Sequence, residues 1–162
     1  RMGFAGSLAA AAGRVKGEGR EMKLLLAVDG SACAERAVAQ VISNAGSWRE
    51  APELHLLYVH PAIPIGRVQS HIGHDTLESY YREESRPHLM SAENALTAAG
   101  LDFKRHIHVG EAADVVVRVA TELGCDWIVM GSKGRSAVAE AVLGSVSHRV
   151  LHLAHCPVLL VK

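Results

Sequence analysis

Residues 127–136 read Trp-Ile-Val-Met-Gly-Ser-Lys-Gly-Arg-Ser, and residues 143–147 read Leu-Gly-Ser-Val-Ser. The first four residues form an apolar run of strand length, and two glycines lie in the four residues that follow it. An apolar spacing of three and four residues begins at Leu143 and predicts a helix that starts near Ser145. The predicted order is therefore a buried strand, a glycine-containing loop and a helix amino terminus, where a serine is a natural cap.

This loop has the features of an anion site. Glycine lets the backbone approach a ligand closely, and a helix amino terminus offers unpaired N–H groups at the positive end of its dipole. Lys133 and Arg135 add positive charge. We therefore hypothesise a phosphate cradle, although a tight turn followed by a helix-capping glycine explains the spacing equally well. The common motifs G-x-x-x-x-G-K-[ST] and G-x-G-x-x-G do not occur after any predicted strand.

The rest of the chain alternates predicted strands with predicted helices. Further strands are expected at Leu24–Val28, Leu54–His60, Phe103–Val109 and residues 157–162, with periodic helical segments between them. This alternation predicts an α/β protein with one open, mostly parallel, five-stranded twisted sheet and helices on both faces. Asp29 follows the first strand, where such sheets bind ligands, and it suits either a ligand contact or a turn.

Composition excludes several classes of protein. The 162 residues suffice for one domain, and 49% hydrophobic with 21% charged residues indicates a globular chain. A formal net charge of zero argues against a dedicated nucleic-acid or anionic-membrane binder. No apolar run approaches the ~20 residues that span a bilayer. The three scattered cysteines predict a reducing, cytoplasmic location without a disulfide framework.

Two segments stand apart from the strand–helix alternation. Residues 1–21 begin with Arg and are rich in Gly and Ala, and we interpret them as a leader or an expression-tag remnant before a domain at 22–162. Residues 61–75 form a long predicted loop, which suggests a flap or an interaction surface.

The ten histidines invite a metal hypothesis. The best cluster is His148, His152 and His155 with Cys156, and its i, i+4 pair could bind zinc. No carboxylate ligand lies near it in sequence, so we assign no metal site. No G-x-S-x-G elbow or other serine with an evident base occurs, so we assign no catalytic residue.

A family resemblance sharpens the phosphate hypothesis. Gly131-x-x-Gly134, nine residues and then Gly144-Ser145 match the pattern G-2x-G-9x-G-[S/T]. The chain thereby resembles the ATP-binding branch of the universal stress protein (UspA-like) family over nearly all of Met22–Lys162. The resemblance implies a Rossmann-like sheet of strand order 3-2-1-4-5, a bound ATP, ADP or AMP with Mg²⁺ accompanying the phosphates, and a homodimer through the C-terminal edge strand.

The resemblance also implies roles for particular residues. Asp29 would meet the ribose or adenine, and the backbone of Leu54 would bond to adenine. Gly134 would let the backbone approach the phosphates. The backbone N–H groups at Gly144, Ser145 and Val146 would hold phosphate oxygens, with the Ser145 hydroxyl assisting. The remaining implied lining residues are Ala27, Met130 and Gly131.

The implied function is that of an adenine-nucleotide-binding, homodimeric stress-response regulator with an unidentified protein partner. At most slow ATP hydrolysis is expected, because no general base is evident. Two alternatives stay open, namely a nucleotide-free dimeric protein-interaction module and an enzyme that uses a flavin or another nucleotide ligand on the same sheet. Gly144→Val is expected to abolish nucleotide binding while the fold stays intact, because its branched side chain would occupy the approach of the phosphates.

Overall fold

The structure is a computed structural model that describes residues 21–62, 74–135 and 143–162. The predicted leader up to residue 20 and most of the predicted flap lie outside these residues.

Strands and helices alternate along the described chain, as the sequence predicts. The strands are β1 (Lys23–Val28), β2 (Glu53–His60), β3 (Phe103–Val109), β4 (Trp127–Gly131) and β5 (Val158–Val161). The helices are α1 (Ala32–Asn44), α2 (His74–Ala98), α3 (Ala112–Leu123) and α4 (Ser145–Leu153), and a 3₁₀ turn at Ala45–Ser47 follows α1.

The five strands form one parallel sheet in the order β3-β2-β1-β4-β5. The predicted fold class and strand order are both confirmed. β1 lies at the centre, between β2 and β4. The chain continues from β1 to β2 on one side and from β4 to β5 on the other, so the direction of the connections reverses between β1 and β4. A crevice therefore opens at the carboxyl ends of β1 and β4, where sheets of this kind bind ligands.

Helices cover both faces of the sheet and enclose two apolar cores. Leu26 and Leu56 lie in the core beneath α1 and α2, whereas Leu25 and Leu57 lie in the core beneath α3 and α4. None of these four side chains is exposed. Burial on both faces explains why the central strands are uninterrupted apolar runs in the sequence. The burial of each such leucine side chain stabilises the fold by about 1.5–3 kcal/mol.

The ends of α1 and α3 follow the sequence signals, and α2 continues through a proline. The Ser31 hydroxyl caps α1 by accepting from the Ala34 N–H at 3.2 Å, and α3 ends at Gly124 with φ +64°. α2 is one continuous helix through Pro87, a residue that cannot donate the backbone hydrogen bond of a helix interior. Leu89, just after the proline, is buried against the sheet, and this packing offsets the helix bond that proline cannot make.

A pair of histidines joins β2 to the edge strand β3. His55 is 2% exposed, and its Nδ1 lies 2.9 Å from Nε2 of His106. Its Nε2 lies 3.4 Å from a carboxylate oxygen of Glu53. The tautomer with His55 Nε2–H facing Glu53 and His106 Nε2–H donating to His55 Nδ1 suits both contacts. Burial lowers the pKa of both histidines, so the pair resists protonation.

Acid is therefore expected to destabilise the protein through this pair. Because the folded pKa values lie below the unfolded value of about 6.5, the unfolded chain binds more protons as the pH falls. The stabilising contribution is complete above about pH 7 and is lost on acidification. The free energy of unfolding, measured with urea at about pH 7.5 and at about pH 5.5, should fall less between the two pH values for His106→Gln than for the parent. Equal losses in His106→Gln and the parent would contradict the assignment.

Candidate functional site

A cleft of about 680 Å³ lies at the carboxyl ends of β1, β2 and β4, beside the amino termini of α3 and α4. Its volume falls within the range of roughly 300–1,000 Å³ that small-molecule sites occupy. The structure brings eight of the nine sequence-predicted residues to this cleft: Ala27, Asp29, Met130, Gly131, Gly134, Gly144, Ser145 and Val146.

Leu54 is the ninth residue, and it does not reach the cleft. It lies at the amino end of β2, pairs with Leu24 and is 4% exposed within the core beneath α1 and α2. The five residue-to-residue steps from Leu54 to Val59 span roughly 16 Å of strand. The implied contact between Leu54 and adenine is therefore corrected, because Leu54 occupies the opposite end of the strand from the cleft. From β2, the cleft is lined by Leu57, Tyr58 and Val59.

Asp29 holds together the two loops that border the cleft. One carboxylate oxygen accepts the Ser31 N–H at 3.0 Å, and the other accepts the Arg135 N–H at 3.3 Å. A Cβ at Gly134 would come within 2.9 Å of that second oxygen. Asp29 thus has the turn role that the sequence offered as an alternative, while it also lines the cleft. The loop can approach it this closely because residue 134 is glycine.

Gly131 serves the packing of α1 against β4. A Cβ at this position would lie 2.8 Å from the backbone carbonyl carbon of Cys33 and 2.8 Å from the backbone nitrogen of Ala34. Both atoms belong to the first turn of α1. The first glycine of the pattern therefore allows α1 to approach the end of β4. The spacing of the glycines alone could not distinguish this packing role from a ligand contact.

The amino terminus of α4 packs against the end of β4 and the loop that follows it. Gly144 is the N-cap residue, and its N–H donates to the Ser132 carbonyl at 2.8 Å. The Ser147 hydroxyl donates to the Gly131 carbonyl at 2.9 Å. Ser145 is the first helical residue rather than the cap that the sequence suggested, and no side chain caps this helix.

The start of α4 borders the cleft with unpaired donors. The first intrahelical bond runs from the His148 N–H to the Gly144 carbonyl at 2.9 Å. The N–H groups of residues 145–147 precede it and have no acceptor within the helix. Lys133 and Arg135 also line the cleft, and Asp29 is the only acidic side chain among the described lining residues. The site is thus an apolar crevice with a positive rim, which suits an anionic ligand.

The other candidate groups lie apart from the cleft. The rings of His148 and His152 lie 4.6 Å apart, between centroids, on α4. Among the described residues, no group of three or more His, Cys, Asp or Glu side chains is arranged to hold a metal ion. All three cysteines are free thiols, and burial raises the pKa of Cys125 to about 11, which makes it a poor nucleophile.

Comparison with known proteins identifies the family. The model of the universal stress protein family matches residues 22–162. The chain belongs to this family. Universal stress protein YxiE of Bacillus subtilis is 31% identical over 148 residues, which cover 86% of this chain and 98% of the relative. These matches span the whole sheet and both cores, so the family relationship extends well beyond the glycine pattern.

Solved universal stress protein structures share the fold. The structure of MJ0577, a universal stress protein of Methanocaldococcus jannaschii, superposes with a TM-score of 0.75 at 31% identity and covers 87% of this chain and 95% of that chain. A universal stress protein in complex with cAMP superposes with a TM-score of 0.63 at 25% identity, covering 87% and 97%. Within the described parts of the present family member, no helix is both long enough and apolar enough to cross a bilayer.

Proposed function

We propose that this universal stress protein binds an adenine nucleotide, namely ATP, ADP or AMP, in the cleft and acts as a homodimeric, cytoplasmic stress-response regulator. The observation that carries the proposal is the convergence of eight of the nine sequence-predicted residues on one cleft of suitable volume with a positive rim. The cAMP complex of a relative supports an adenine nucleotide as the ligand class.

The residues that line the cleft suggest how the nucleotide is oriented in it. Ala27, Val59 and Met130 supply apolar surface for the base. Asp29 lies beside them and suits the ribose hydroxyls. The unpaired N–H groups at the start of α4 suit the phosphates, as expected for the positive end of a helix dipole. Val59 takes the role that the resemblance had implied for Leu54, because Val59 occupies the cleft end of β2.

The residues present fit Mg²⁺ only as a companion of the phosphates. Asp29 is the only described carboxylate that lines the cleft, and both of its oxygens already accept backbone N–H groups. Mg²⁺ would therefore take its ligands chiefly from phosphate oxygens and water. No imidazole and no second carboxylate lines the cleft among the described residues, and we expect at most slow ATP hydrolysis.

Backbone NMR tests where the nucleotide binds. Addition of ATP to uniformly ¹⁵N-labelled protein should shift the amide signals of Gly134, Gly144, Ser145 and Val146. The signal of Leu54, at the opposite end of β2, should stay in place. Shifts that centre on Leu54 or spread evenly over the protein would contradict the proposed site, and AMP in place of ATP would show which shifts depend on the outer phosphates.

The homodimer is proposed to form through β5. This strand is at the edge of the sheet, so one side of its backbone has no neighbouring strand within the sheet. Trp127 is 43% exposed and Leu159 is 42% exposed, and the register of Val129 with Leu159 places both on the same sheet face. An exposed apolar edge strand invites pairing, and a second copy of this strand would cover it.

Leu159→Lys is expected to shift the protein from dimer to monomer, because it introduces a charge into the apolar patch that the second copy would bury. Analytical ultracentrifugation should then report a twofold lower mass than for the parent. Met90→Lys is the matched control, because Met90 is exposed on α2 and distant in sequence and fold from β5. A parent protein with the mass of one chain would overturn the proposed dimer.

A further inference from the structure

The side chain of Arg135 is held at the rim of the cleft by a residue of α2. Its backbone N–H donates to Asp29, and its guanidinium Nη1 donates to Nε2 of His88 at 2.9 Å. His88 in turn stacks on Tyr58, with ring centroids 5.2 Å apart and an interplanar angle of 17°. Arg135 and Tyr58 both line the cleft, so this cluster joins α2 to the proposed binding site.

The partners of the guanidinium are uncharged. The imidazole of His88 accepts a hydrogen bond only when it is neutral, and burial followed by the charge of Arg135 lowers its pKa. Burial raises the pKa of the Tyr58 hydroxyl, so the ring on which His88 stacks is also uncharged. No carboxylate of the described residues forms an ion pair with Arg135.

This arrangement orients the positive charge without neutralising it. A guanidinium has five N–H donors, and a single imidazole leaves most of them available. Gly30 makes room for the orienting ring, because a Cβ there would lie 3.0 Å from Nδ1 of His88. The guanidinium is therefore an oriented positive charge at the rim of the cleft. Asp29 is the only acidic side chain among the described lining residues, and its oxygens already accept backbone N–H groups.

We propose that Arg135 binds a phosphoryl group of the nucleotide and selects phosphorylated over unphosphorylated adenine compounds, with His88 as its positioning residue. The inference rests on the proposed nucleotide binding and extends it to a side chain that the glycine pattern does not specify. A planar guanidinium donates two parallel hydrogen bonds to phosphate oxygens, whereas adenine and ribose offer it no charge. A side chain that is already positioned loses less conformational entropy on binding.

Calorimetric titration with adenosine, AMP and ATP tests the role of Arg135. Arg135→Gln should weaken ATP binding roughly 10- to 100-fold, as expected for a lost charge-assisted hydrogen bond, and should change adenosine binding by less than about twofold. A loss already present with AMP assigns the contact to the first phosphate, and a loss with ATP alone assigns it to the outer ones. Arg118→Gln removes the same charge from an exposed site on α3 and should change neither affinity.

Two substitutions at His88 test positioning. His88→Phe keeps a ring against Tyr58 but removes the acceptor, and it should weaken ATP binding several-fold without changing adenosine binding. His88→Gln restores an acceptor and should recover part of that loss. If the parent binds none of the three compounds, the proposed function fails together with this inference. If the parent binds ATP and Arg135→Gln affects ATP and adenosine equally, this inference alone is overturned.

Discussion

Replacing Gly131 with alanine is expected to lower the free energy of unfolding by about 1–3 kcal/mol, the usual cost of forcing an extra group into a packed core. The new methyl group would lie 2.8 Å from backbone atoms of Cys33 and Ala34. A flexible side chain could rotate away, but the first turn of α1 cannot move without displacing the Ser31 cap. The strand cannot retreat either, because Gly131 pairs with Val161 of β5.

Urea denaturation measures this effect directly. Gly46→Ala is the matched control, because a Cβ there meets nothing within 4 Å and the backbone needs no positive φ. The control should be neutral or stabilised by about 0.4–1 kcal/mol, since alanine reduces the freedom of the unfolded chain. Equal midpoints for Gly131→Ala and the parent would show that β4 and α1 do not approach as closely as described.

Gly144→Val is expected to weaken ATP binding at least about tenfold, which corresponds to roughly 1.4 kcal/mol. A Cβ at this position would lie 3.3 Å from the Lys133 Cα and 3.3 Å from the Ser132 carbonyl oxygen. The branched side chain therefore presses on the loop after β4 and displaces it from the start of α4. This reason differs from the sequence-based one, which placed the branched side chain in the path of the phosphates.

The measurement is a calorimetric ATP titration together with a circular-dichroism melt. The φ and ψ of Gly144, −74° and 154°, are open to valine, so the variant should remain folded. Gly144→Ala should show a smaller loss of affinity, because one methyl group requires the loop to yield only slightly. Parent-like ATP affinity in a folded Gly144→Val protein would mean that the loop and the start of α4 do not form the phosphate site.

Much of the fold could be predicted from local patterns. Leu24–Val28 and Trp127–Met130 are short, uninterrupted apolar runs, and only strands buried on both faces by helices favour such runs. Apolar and polar residues alternate only in part along Phe103–Val109, a pattern that suits a strand near the sheet edge, and β3 is an edge strand. Periodicity carried no information on strand order, which came from the family resemblance and is now observed.

The candidate site could be predicted only in part, because its contacts join residues far apart in sequence. The rule that parallel sheets bind ligands at the carboxyl ends of their strands favours Val59 over Leu54, whereas the family resemblance alone implied Leu54. Gly131 reads as a ligand residue in the pattern, yet its close neighbours belong to α1. His88 and Arg135 lie 47 residues apart, and no local signal connects them.

Titration of the purified parent protein with ATP, followed by calorimetry, tests the central claim most directly. The account predicts saturable binding of one ATP per chain, lost or strongly weakened in Gly144→Val and retained in Gly46→Ala. No heat of binding with ATP, ADP or AMP, in a sample from which no nucleotide is released on denaturation, would contradict it. The glycine loop would then serve only to pack β4 against α1 and α4, and the protein would be a nucleotide-free interaction module.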